Sequence, residues 1–226
     1  MPLEGIRVVE FGTFHAGPGA SAILGDLGAE VIKIEEAEGD PMRSWKEVGG
    51  IRFTMADGEG FPFQFTNRNK KGIWLDIKKE KGREVFHRLI KEADVFLTNL
   101  RKSTKQSLGL DYEAVREINP RIIHASVSGF GQEGHLSDLG AFDPMGQARS
   151  GMMFSTGSDR PRLVHLAVLD QTASIALSQA VLTALFAPSH RMATQVTGCT
   201  GNLIDGATKG ISAHIKIVAV NRGAAP

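Results

Sequence analysis

The sequence predicts an α/β protein built on a Rossmann-like parallel sheet with helices on both faces. Two observations carry that reading. Apolar runs of strand length alternate with amphipathic runs as far as Val127, the order found in α/β proteins. The segment ending at Ile34 already reads as one βαβ unit, whose crossover is expected to be right-handed.

Ile6–Phe11 reads as a buried strand, followed by a turn and a short helix from Pro18 to Leu27 that Gly28 stops, since glycine accepts the left-handed conformation common after a helix. Glu30–Ile34 is the second strand. Residues 35–60 are polar and carry the turn signals Gly39-Asp40-Pro41, Gly49-Gly50 and Asp57-Gly58, so they read as a long surface excursion. A strand is expected at Ile73–Ile77, then a helix from Lys79 to Ala93 with Val85, Leu89 and Ile90 on one side, then a strand at Val95–Thr98. Asp111–Ile118 is a short helix closed by Asn119-Pro120, because the residue before proline is pushed out of the helical region. A strand follows at Arg121–Val127. The run Leu166-Ala167-Val168-Leu169 ends at Asp170, and Gln171–Ala187 has helical apolar spacing, which makes Asp170 a candidate N-cap.

A chain of 226 residues can bury a substantial core as one large domain or as a domain with an appendage. Lys and Arg number 26 against 25 Asp and Glu, so bulk charge gives no nucleic-acid footprint and the expected partner is a small molecule. The single cysteine, Cys199, rules out an intrachain disulfide framework and suits a reducing compartment. No apolar run approaches the roughly 20 residues of a membrane span, and Met1-Pro2-Leu3-Glu4-Gly5 does not open a signal peptide. A cytoplasmic protein with no membrane partner is expected.

Chemistry in such a sheet belongs to the loops at the carboxyl ends of its strands. The first, Gly12-Thr13-Phe14-His15-Ala16-Gly17-Pro18-Gly19, lets backbone approach a ligand. Its glycine spacing is not G-x-G-x-x-G, and no G-x-x-x-x-G-K-[ST] occurs, so nicotinamide and nucleoside-triphosphate enzymes lack support. The helix start after Gly17-Pro18 is either an anion site or a tight turn without a ligand. The second loop, Asn67-Arg68-Asn69-Lys70-Lys71-Gly72, and the third, Asn99-Leu100-Arg101-Lys102, are either a joint phosphate grip or solvated surface charge. Histidines 15, 87, 124, 135, 165, 190 and 214 have no metal-ligand spacing, so no metal is expected. No G-x-S-x-G nucleophile elbow is present.

The residues 3–35, 67–76 and 93–99, the Leu108-Gly109-Leu110 and Ile118-Asn119-Pro120-Arg121-Ile122-Ile123 segments, Ser126-Val127-Ser128-Gly129-Phe130-Gly131, Gln147-Ala148-Arg149-Ser150-Gly151 and Asp170 together resemble the class III CoA-transferases, the CaiB/BaiF family. The resemblance runs in order across residues 3–187. It implies that Asp170 is the nucleophile that attacks an acyl-CoA thioester, giving a mixed anhydride and then an aspartyl-CoA thioester from which a carboxylic acid acceptor takes CoA. The helix start at Asp170 is expected to offer amides to the developing oxyanion and to depress the carboxylate pKa.

The same resemblance implies CoA contacts at Phe14, His15, Ala16, Leu75, Asn99, Leu108 and Phe142, and an acyl pocket lined by Asp143 and Gln147. Glu36 and Ser107 stand where a relative can carry arginine, which passes the phosphate contacts to Arg68, Lys70, Lys71 or Arg101. Coenzyme A enters as a substrate, with no tightly bound cofactor. The α-methylacyl-CoA racemases of the same superfamily use a histidine–aspartate pair, and no histidine stands in Gly140-Ala141-Phe142-Asp143. A transferase is therefore favoured over a racemase-like enzyme, which stays as an alternative together with a catalytically silent CoA-binding remnant.

Two regions are expected: a CoA-binding domain over 1–187 that carries the catalytic aspartate, and an atypical tail over 188–226. The resemblance fades after Ala187. Family members are longer and form interlocked homodimers, so the chain reads as truncated, with activity impaired.

Overall fold

The structure, a computed structural model, describes residues 1–48, 50–157, 159–165, 167–187, 194–199 and 216–219. Its strands are β1 (Arg7–Phe11), β2 (Glu30–Glu35), β3 (Glu47–Val48), β4 (Ile51–Arg52), β5 (Lys70–Trp74), β6 (Val95–Thr98), β7 (Ile123–Ser128), β8 (Thr194–Cys199) and β9 (Lys216–Ala219). Its helices are α1 (Ala16–Asp26), α2 (Phe61–Asn67), α3 (Glu80–Lys91), α4 (Lys102–Leu108), α5 (Tyr112–Ile118), α6 (Asp143–Arg149) and α7 (Val168–Phe186).

One sheet runs in the order β5-β2-β1-β6-β7-β8-β9. All neighbours in it are parallel except β8 and β9, and β3 and β4 form a separate hairpin. The chain moves outward from β1 through β2 to β5, then returns to lay β6 against the other side of β1. Connections therefore leave β1 and β6 in opposite directions and open a crevice between their carboxyl ends, the usual ligand position in such sheets.

Successive strand residues face opposite sides, and here both sides are buried. Val8, Val31, Leu97 and Val127 belong to a core under α1 and α7, with Ala20, Leu24, Leu177 and Val181 from those helices. Val9, Ile34, Phe96 and Ile122 belong to a second core with Phe86 and Ile90 of α3 and Val115 of α5. This is the α/β sheet covered on both faces that the apolar runs predict. Asp111 caps α5 by accepting from the Ala114 amide at 3.2 Å.

Several expectations need correction. The strand placed at Ile73–Ile77 is β5, three residues earlier, with Val31 opposite Lys70 and Glu35 opposite Trp74. Its lysines hid it, because paired charges let a strand start where a solvated loop was expected. The polar excursion contains the β3–β4 hairpin and a 3₁₀ turn at Pro41–Ser44, capped by Asp40 accepting from the Met42 amide. The sequence reading missed α2, α4 and α6. The positive φ of +68° at Gly109 closes α4, a stop signal that the sequence displayed.

The last helix begins at Val168, so Asp170 lies inside its first turn and Ala167, at φ +47°, is the cap residue. At 19 residues α7 is long and apolar enough by composition to cross a membrane, contrary to the expectation of no such run. Its buried positions pack against α1 and β7, which accounts for that composition. Within the tail, β8 pairs with β7 and β9 with β8. The expectation for the rest of 188–226 lies outside the described residues.

Candidate active site

The crevice between β1 and β6 is a cleft of about 380 Å³ lined by Phe14, His15, Ala16, Asn99, Arg101, Phe142 and Asp170 together with Thr13, Thr104 and residues 127–129 and 139–141. Seven residues singled out from the sequence, drawn from four separate segments, thus meet in one place.

Asn99 fastens the loop after β1 to the end of β6. Its Oδ1 accepts from the Thr13 amide at 3.0 Å and its Nδ2 donates to the Thr13 carbonyl at 2.6 Å. A side chain at Gly12 would put a Cβ at 2.7 Å from that Oδ1, so glycine is required for close approach rather than for an unusual φ. Gly19 is equally constrained: a Cβ there would lie 2.5 Å from Ser174 Oγ, which donates to the Ala16 carbonyl at 2.9 Å and ties α1 to α7. Gly19→Ala is expected to cost about 1–3 kcal/mol in urea unfolding through overpacking; an unchanged midpoint would show that the α1–α7 contact yields freely.

Beneath the loop lies a buried charge network. Lys33 contacts Glu10 at 2.8 Å, Asp40 at 3.0 Å and the Gly12 carbonyl at 2.9 Å. Lys70 contacts Glu10 at 2.6 Å and the Pro18 carbonyl at 2.8 Å. Asp40 accepts from the Phe14 amide at 3.2 Å. Burial pushes the Glu10 carboxyl up, but the two ammonium groups outweigh it and hold it down at about 2. Burial brings Lys70 down to about 8.

This network corrects the phosphate-grip reading of the second basic loop. Lys70 is spent on Glu10, Lys71 on Glu30 at 2.7 Å and Arg68 on Asp26. Lys70 and Lys71 begin β5 and therefore stand at the opposite end of the parallel sheet from Asn99, and none of the three lines the cleft. Arg101 is the member of the predicted cation set that does. Leu108 lines an adjoining cavity of about 190 Å³, which shares Thr13, Leu100 and Thr104 with the cleft and also contains Glu36, Ser107 and Lys78. Lys78 holds Glu36 at 2.8 Å; it is a cation at this end of the sheet that sequence reasoning passed over. Leu75 lies in neither cavity and is partly buried against the second core.

The aromatic residues gather at the cleft mouth. Phe14, at a left-handed φ of +62°, meets Trp45 and Phe142 edge to face at centroid distances of 5.6 and 5.4 Å. Such strain costs on the order of 1–3 kcal/mol and clusters at functional sites. His15 Nε2 lies 2.9 Å from Gln171 Oε1, and burial lowers its pKa, so the imidazole is neutral at pH 7.

Asp170 departs most from expectation. Burial raises its carboxyl to about 7, with the neighbouring Asp143 charge adding to the effect; the helix start was expected to lower it. The amides that would have lowered it are already taken, since Asp143 Oδ2 accepts from Leu169 N at 2.6 Å and Asp170 N at 3.2 Å. Asp143 and Gln147 are both buried and line neither cavity. Gln147 Nε2 donates to Asp143 Oδ1 and to the Val164 carbonyl, while its Oε1 accepts from Val164 N. They brace the site from behind. Among the described residues, no three His, Cys, Asp or Glu side chains gather as a metal-holding group.

The sequence model of CoA-transferase family III matches residues 3–210. The chain belongs to that family. The match passes the boundary at 187 where the sequence resemblance was read to fade. Among family III relatives, a succinate–glutarate CoA-transferase of Agrobacterium fabrum is 39% identical over 190 residues, covering 81% of this chain and 47% of its own length. A cinnamoyl-CoA:phenyllactate CoA-transferase of Clostridium sporogenes is 38% identical over 165 residues, covering 71% and 40%. The crystal structure of a CaiB/BaiF family protein from Brucella suis superposes with a TM-score of 0.78 at 36% identity, covering 86% of this chain and 52% of that one. The family III fold is thus present, and the chain spans less than half the length of the curated relatives it matches.

Proposed function

We propose that the chain carries the CoA-binding and nucleophile-bearing part of an acyl-CoA:carboxylate CoA-transferase, with Asp170 as the nucleophile. The observation that carries the reading is a desolvated carboxylate on the wall of a cleft at the topological switch point, in a family whose relatives are named for CoA transfer. A carboxylate deprived of water is a stronger nucleophile than a solvated one, and covalent capture splits a difficult transfer into easier steps.

In the proposed sequence an Asp170 oxygen attacks the thioester carbonyl, the C–S bond breaks, and CoA leaves as thiolate from a mixed anhydride. The thiolate then attacks the aspartyl carbonyl, releases the donor acid and forms an aspartyl-CoA thioester. The acceptor carboxylate repeats the exchange in reverse, which regenerates Asp170. The cleft seats the pantetheine end beside Phe14, His15 and Ala16, and the adjoining cavity at Leu108 takes the nucleotide end, with Arg101 as the cation for phosphate. Homodimer formation and a cytoplasmic location belong to the same proposal.

The test is incubation of the purified chain with an acyl-CoA followed by hydroxylamine. An Asp170 hydroxamate identified by peptide mass spectrometry supports the transferase. CoA binding without any such modification favours the catalytically silent reading. Trapping is expected to rise with pH through about 7, because the ionised form of Asp170 attacks. A rate independent of pH between 5.5 and 8.5 would argue against the raised carboxyl (a window of roughly 1.5 units either side).

A further inference from the structure

The first turn of α7 is held by a carboxylate that is not its own. Asp143 starts α6, 27 residues before Asp170, yet its Oδ2 takes both the Leu169 and Asp170 amides, and its Oδ1 takes Gln147 Nε2. Its exposure is 6%, so no water competes for those contacts. The residue before the helix, Ala167, offers no capping side chain and sits at a positive φ. The start of α7 therefore depends on a long-range partner where a local cap would ordinarily serve.

We propose that Asp143 is a positioning residue for Asp170: it fixes the first turn of α7 through two amides and, braced by Gln147, sets a second carboxylate behind the nucleophile. This rests on the reading of Asp170 as nucleophile. Asp143 touches no cleft surface, so it acts through Asp170 and not on substrate. Two consequences follow from the geometry. A thioester oxyanion must find its donors away from the amides of 169 and 170, and the charge on Asp170 is set from behind the helix as well as by burial. The other titratable groups around Asp170 are His15, ahead of α1, and Arg101, ahead of α4 on the same cleft. Burial lowers the His15 pKa and favours its neutral form, and Asp143 is the carboxylate of this group that meets the α7 start.

The experiment separates position from charge in the full chain. Asp143→Asn keeps an oxygen for the two amides and removes the charge, losing only the Gln147 contact because its NH2 then faces the Gln147 Nε2 donor; Asp143→Ala removes the charge and both amide contacts. Carboxyl ¹³C NMR follows the titration of Asp170, and amide hydrogen exchange reports on residues 169 and 170. Asp143→Asn should lower the Asp170 midpoint by about one pH unit with exchange altered less than about threefold, and should move the pH profile of hydroxylamine trapping by the same amount. Asp143→Ala should raise exchange at those two amides at least about tenfold, the loss expected for an unpaired helix start.

An unmoved midpoint in Asp143→Asn, or unchanged exchange in Asp143→Ala, overturns the proposal. Should the alanine variant not fold, the asparagine midpoint decides. Wild-type protein that titrates as described but traps no acyl group would sink the nucleophile reading alone, since neither NMR measurement depends on turnover.

Discussion

Asp170→Ala should abolish hydroxylamine-trapped acylation, with any residual CoA transfer down at least about a thousandfold, the scale seen when a covalent nucleophile is removed, while CoA binding in the cleft persists. Among the described residues no other carboxylate lines that cleft, so none of them stands ready to substitute. The same site makes an opposite prediction for stability. The Asp170 carboxyl is raised from its ordinary 3.8 to about 7, so between pH 4 and 7 the folded protein holds a proton that the unfolded chain has released. Stability then falls as pH rises through that window, by an amount on the order of a few kcal/mol above pH 7. Asp170→Asn should be more stable than wild type at pH 8 and indistinguishable from it near pH 4. Urea unfolding at both pH values measures the difference, and a variant no more stable at pH 8 would mean that the charge is better solvated than its surroundings imply.

The second large effect is expected in the floor of the site. Glu10 is fully buried between Lys33 and Lys70, and Glu10→Ala leaves two buried ammonium groups facing each other without their shared partner. Breaking such a pair costs about 3–5 kcal/mol, a large share of the 5–15 kcal/mol that holds a typical domain together. The damage should reach the cleft, because Lys33 and Lys70 also hold the Gly12 and Pro18 carbonyls. Chemical denaturation gives the stability loss, and the affinity for CoA should fall with it. A loss below about 1 kcal/mol would show that water enters and solvates the lysines. Acid should act in the same direction: with its carboxyl held at about 2 against an ordinary 4.5, Glu10 contributes stability that is complete above pH 4.5 and lost as pH falls toward 2.

The sequence made the sheet legible because its central strands, β1, β2, β6 and β7, are buried on both faces, which writes runs such as Val8-Val9 and Val95-Phe96-Leu97 directly into the chain. The ordered family pattern singled out the glycine loop, Asn99, Phe142 and Asp170, which the structure brings to one cleft. What escaped was pairing at a distance. Lys70 looks solvated until Glu10, 60 residues away, is placed on it. Asp143 reads as a pocket residue until its two α7 amides are seen. Short helices such as α2, with three phenylalanines in seven residues, have too few turns for periodicity to speak.

The crevice between β1 and β6 has a consequence for how such a protein can diversify. The segments that wall it depart to opposite flanks, joined at the crevice by the strands and by the Asn99–Thr13 contacts. Either flank can therefore lengthen, shorten or change its chemistry while the scaffold between them keeps its register, so the lining of the cleft can vary without unsettling the frame that holds Asp170.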